Sequence, residues 1–111
     1  MSTSYQLGMS YEIFVQSATG SYGDRYSHEM TNLIDFEKTG YSISGRSHKH
    51  LIKIVKGRIG KAINTFQTRK PNSIDKSILQ SFLQRVDHAV DSKELVAVVG
   101  EISSLISPDP D

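Results

Sequence analysis

No cysteine occurs among the 111 residues. A disulfide framework, a thiolate metal site and a cysteine nucleophile are thereby excluded, and a reducing compartment is permitted. Tryptophan is also missing, and the aromatic set is four Phe and five Tyr. Large aromatic anchors are scarce, which suits a helical core of Ile, Leu and Val. No apolar run approaches the roughly 20 residues needed to span a bilayer, and Met1-Ser2-Thr3-Ser4-Tyr5 carries no basic n-region. The expectation is a cytoplasmic protein with no membrane association. The chain has room for one ordinary core.

Acid is absent over one whole third of the chain. Residues 38–74 hold nine Lys and Arg and no Asp or Glu, whereas residues 1–37 and 75–111 each carry a net charge of −4. Either this basic middle meets an anionic partner, or it pairs with the acidic ends of its own fold or of a second copy.

Helical periodicity dominates from residue 46 onward. Ile52, Val55, Ile59, Ala62, Ile63 and Phe66 recur at steps of three and four, which predicts one helix over 47–67. Lys49, Lys53 and Lys56, continued by Gly60, follow the same spacing on a separate flank. Gly57 and Gly60 each cost about 1 kcal/mol of helix propensity, which leaves room there for a close approach or for a kink. Pro71 closes the segment. Ser73 or Asp75 opens a second helix with Leu79, Phe82, Leu83, Val86 and Val90 on one face. Asp91 or Ser92 caps a third that carries Leu95, Val98, Val99, Ile102, Leu105 and Ile106. The short connection makes these last two an antiparallel hairpin.

Residues 1–45 read less clearly. Tyr11–Gln16 fits a short strand or a helical turn, residues 17–24 have loop composition, and Ser27–Lys38 fits a short helix with Met30, Leu33 and Ile34 on one side, Phe36 beside them. This N-terminal region is expected to be partly mobile. The domain layout is therefore residues 1–45, a helical regulatory domain over 46–107, and a disordered tail at 108–111.

Chemistry-bearing patterns are sparse. His48 and His50 flank Lys49, but residues two apart on a helix point about 200° away from each other, and no acid lies nearby in sequence. His28 and His88 stand alone, and no carboxylate pair, phosphate loop or dinucleotide fingerprint is present. No catalytic, metal or cofactor residue is assigned, and an enzyme is not expected. Val55-Lys56-Gly57-Arg58-Ile59-Gly60-Lys61-Ala62-Ile63 resembles the GxxG loop of a KH RNA-binding domain. Helical periodicity continues where that fold requires strands.

Ile59-Gly60-Lys61-Ala62-Ile63-Asn64-Thr65-Phe66, then Asp75 to Ala89, and a last helix from Leu95 to Ile106 together resemble a family of enterobacterial biofilm-development and acid-resistance regulators. These are the two-component-system connectors of the YmgB/AriR/YcgZ type. The resemblance covers about half the chain, and the lysine-rich segment before Ile59 departs from the family pattern. It implies an all-α homodimer without an active site that contacts a response regulator, with DNA binding as the family's other proposed activity. Amphipathic helices with continuous apolar stripes lead to the same architecture: a small helical bundle completed by homodimerisation. Its core or dimer interface is expected at Ile59, Ile63, Phe66, Leu79, Phe82, Leu83, Val86, Leu95, Val99 and Ile102. The partner or nucleic-acid surface is expected at Lys49, Lys53, Lys56, Arg58 and Lys61.

Overall fold

The computed structural model describes residues 4–20 and 29–106, and they form five helices with no strand among them. These are α1 (Ser4–Thr19), α2 (Glu29–Thr39), α3 (His48–Arg69), α4 (Lys76–His88) and α5 (Ser92–Leu105). None of them is long and apolar enough to cross a membrane.

Helix α3 is the axis of the fold. Ser47 starts it in an extended conformation, its Oγ accepting from the His50 amide at 3.1 Å, which satisfies one of the donors a helix start leaves open. Leu51, Ile52, Val55, Ile59, Ala62, Ile63 and Phe66 are all buried along one stripe. As the spacing over 47–67 predicts, this is one helix, and it continues through Gly57 and Gly60 without a break for 22 residues. Burial of that stripe outweighs the propensity cost. The helix ends where the Lys70 amide bonds back to the Phe66 carbonyl at 2.8 Å, one residue before Pro71.

The C-terminal pair follows the predicted pattern, except that Val90 and Leu105 are exposed and Leu83 is only partly covered. Asp75 caps α4, accepting from the Ser77 amide at 2.9 Å, and Asp91 caps α5, accepting from the Glu94 amide at 3.3 Å. Leu79, Phe82 and Val86 are buried while Leu83 is half-buried. Val90 is 79% exposed because α4 stops at His88, which takes Val90 off the helical face. Arg85 ties the hairpin, its Nε donating to Glu94 and its Nη2 to Glu101, each at 2.8 Å.

The N-terminal third differs from its sequence reading. Residues 11–16 lie inside a 16-residue helix, and α1 continues to Thr19 through the first part of the expected loop. The rest of that loop from residue 21, the expected start of α2 at Ser27 and the tail at 108–111 lie outside the described residues. Tyr11, Phe14 and Ala18 of α1 and Met30, Leu33 and Ile34 of α2 join the same core as the α3 stripe. Helices α1 and α2 meet closely at Gly8, where an added Cβ would overlap Thr31 Oγ1 and stand 3.2 Å from Thr31 Cβ. Of the residues expected at the core or dimer interface, Ile59, Ile63, Phe66, Leu79, Phe82, Val86, Leu95, Val99 and Ile102 lie in the core of a single chain, and Leu83 packs at its edge.

Candidate partner-binding face of α3

The basic residues of α3 divide into two groups. Arg58 faces inward, its Nη1 donating to Glu12 of α1 at 2.7 Å and to Glu29 of α2 at 2.9 Å. Its guanidinium carbon lies 5.3 Å from the centre of the Tyr11 ring. Burial disfavours its charge, but the bonds to Glu12 and Glu29 outweigh that and hold the guanidinium above its ordinary pKa. Lys56 reaches the end of α4, donating to the carbonyls of Asp87 at 2.5 Å and Ala89 at 3.3 Å. Arg69 does the same for α1, donating to the carbonyls of Ser17 at 3.1 Å and Ala18 at 2.9 Å. Cations at helix C-termini satisfy open carbonyls and oppose the negative end of the dipole. Two of the five expected binding residues, Lys56 and Arg58, are therefore held by the fold.

Lys49, Lys53 and Lys61 form the second group. All three are exposed, and none makes a hydrogen bond or ion pair among the described residues. At 3.6 residues per turn they share about one third of the helix circumference with Gly57, Gly60 and Asn64, opposite the buried stripe. Nothing stands within 4 Å of where a Cβ would lie on either glycine. This side of α3 is therefore open over both glycines, carries lysines, and has no Asp or Glu from α3 itself.

Two exposed apolar side chains precede the helix. Tyr41 and Ile43, on the turn that leads into α3, are each 70% exposed. Their turn is held by its own hydrogen bonds: Ser42 Oγ donates to the Arg46 carbonyl at 2.7 Å, and the Gly45 amide to the Ser42 carbonyl at 3.2 Å. Gly40 and Gly45 supply the left-handed residues that the turn requires, at φ of 74° and 75°. Sequence reasoning missed both side chains. The available signal was two large apolar residues in a Ser- and Gly-rich turn too short to bury them.

A second polar cluster resembles a hydrolytic site in composition but not in order. Glu37 accepts from Ser92 Oγ at 2.5 Å and pairs with His48 Nε2 at 2.7 Å. The carboxylate stands between serine and imidazole, so the histidine is not placed to take the serine proton as a triad requires. Glu37 also accepts from the Ser92 amide at 3.0 Å, fastening the end of α2 to the start of α5. His48 is engaged there, and no group of three or more potential metal ligands occurs among the described residues.

No family model matches the chain, and neither the curated proteins nor the solved structures provide a match.

Proposed function

We propose that this chain is a small non-enzymatic regulatory protein that acts by contact, holding an acidic surface of another protein against the outward face of α3. The observation that carries this reading is the division of the basic residues. Lys56, Arg58 and Arg69 are consumed by the fold, while Lys49, Lys53 and Lys61 stand exposed on a side of α3 that holds no acid of its own and have no internal partner among the described residues. Exposed Tyr41 and Ile43, on the turn that leads into α3, offer the kind of apolar anchor around which contact interfaces are built. The resemblance over residues 59–106 makes a response regulator the partner, with effects on biofilm formation and acid tolerance, in a cytoplasmic protein that pairs with itself. Such a pair would use a surface other than the α3–α4 stripe, which is buried within one chain.

A second reading is favoured by the lysines alone. Lys49 and Lys53 stand one turn apart, about 6 Å along the axis, on a face that also suits nucleic-acid phosphates. The readings separate in one experiment: capture from lysate with the tagged full chain, with and without nuclease, repeated with Lys53→Glu/Lys61→Glu. Contact with an acidic protein predicts that one partner is retained after nuclease and lost with the double variant. Retention of nucleic acid, with log affinity falling by about 0.9 per contacted phosphate against log salt, would replace it with the second reading.

A further inference from the structure

Helices α1 and α5 meet over two stripes at helical spacing, Leu7, Ser10 and Tyr11 on one and Val96, Val99, Gly100 and Ser103 on the other. Packed helices ordinarily fill the space between such stripes with interleaved side chains. Here α5 presents a glycine within its stripe, and nothing stands within 4 Å of where a Gly100 Cβ would lie. Gly100 has an ordinary helical backbone rather than a left-handed one, so its own conformation does not call for glycine. A hollow of about 210 Å³ remains, with Met30 of α2 also in its lining. Tyr11, Met30 and Val99 are buried and Leu7 and Val96 half-buried, whereas Ser10, Gly100 and Ser103 are exposed. The hollow is thus apolar at depth and polar where it opens.

We propose that this hollow is a binding site for a small neutral aromatic molecule that carries one hydrogen-bonding group. Size is the first reason. An apolar cavity of about 150 Å³ holds the six heavy atoms of benzene, so one of about 210 Å³ admits about eight or nine. Charge is the second. No Asp, Glu, Lys, Arg or His lines the hollow, and a charged ligand would give up its hydration with nothing to replace it. The walls are the third, because the Met30 thioether and the Tyr11 ring favour an aromatic face over an aliphatic chain. The mouth supplies the polar contact. Ser103 Oγ makes no hydrogen bond among the described residues, and Ser10 Oγ, which donates to the Gln6 carbonyl at 3.1 Å, keeps its lone pairs for an incoming donor.

The ligand is held weakly, since a hollow that opens to solvent covers only part of it. A dissociation constant of about 0.1–1 mM follows for a molecule of this size. The site is built by α1, α2 and α5 and does not rest on what the outward side of α3 binds.

The three methionines of the chain provide a reporter within the site. In the full chain carrying ¹³C at the methionine methyls, with the Met30 signal assigned through Met30→Leu, 2-phenylethanol, which has the required size, should shift the Met30 signal to saturation. Met9, which lies outside the lining, should stay in place. Phenylacetate, of similar size but charged, should bind more weakly by about 10-fold or more. Gly100→Leu fills the hollow and Ser103→Leu covers its mouth, both from exposed positions. Helicity by circular dichroism should therefore be kept while 2-phenylethanol binding weakens by about 10-fold or more in each. Lys53→Glu should leave binding unchanged. A Met30 signal that has not moved by about 10 mM overturns the proposal, as does one that moves together with Met9 and never saturates. Binding that survives both substitutions overturns it by placing the ligand elsewhere, and equal binding of phenylacetate overturns the neutral class.

Discussion

Tyr11 holds its phenol oxygen inside the core without a hydrogen-bond partner among the described residues. Burial pushes its pKa up, and the nearby Arg58 charge only partly offsets that. A group whose folded pKa is raised contributes stability that is complete below its ordinary value of 10.0 and is lost as pH rises beyond it. Tyr11→Phe should accordingly raise stability at neutral pH by about 1 kcal/mol, since an unsatisfied buried hydroxyl is removed. It should also flatten the decline above pH 10, as read by urea unfolding at several pH values. Arg58→Met acts in the opposite direction. It strands the Glu12 carboxylate, whose side chain is 4% exposed, and should cost about 3 kcal/mol in the same assay. A change below about 1 kcal/mol would mean that Glu12 finds water or another donor.

Helix α3 carries two glycines that its own fold does not use. Neither meets another atom at the Cβ position, and neither has a left-handed backbone. Gly57→Ala and Gly60→Ala should each stabilise the protein by about 0.5–1 kcal/mol, visible as a higher melting temperature. If the partner packs closely over these glycines, the same variants should weaken its capture. A stabilised variant with unchanged capture would place the contact on the lysines and on Tyr41 and Ile43 alone. Helices α3, α4 and α5 were legible because each alternates a buried stripe with polar positions at 3.6-residue spacing. Helix α1 was not, because exposed Tyr5 and Ile13 erase the contrast with buried Tyr11, Phe14 and Ala18. At the site, the basic character of α3 could be read directly. Which cations were already engaged could not, because the partners of Arg58 are 46 and 29 residues away in sequence and those of Lys56 are 31 and 33.

For the whole molecule, one continuous core takes side chains from all five helices. The expected division at residue 45 does not fall at a gap in that core: Leu33 and Ile34 on one side and Leu51 and Val55 on the other belong to the same buried cluster. Thermal unfolding followed by far-ultraviolet circular dichroism and by tyrosine fluorescence should therefore give coincident transitions. An early tyrosine transition would show α1 detaching before the rest.

The pairing of Glu12 with Arg58 also bears on how the chain is made. At about 5–20 residues per second, roughly 2–10 s separate the synthesis of the two partners, which stand 46 positions apart. Arg69, whose guanidinium closes the end of α1, follows later still, 52 positions after Ser17. For that interval the Tyr11, Phe14 and Ala18 stripe has no α3 to cover it, and both sides of α1 are open to whatever binds nascent apolar segments. Helix α1 is made before each of the helices it packs against, α2, α3 and α5.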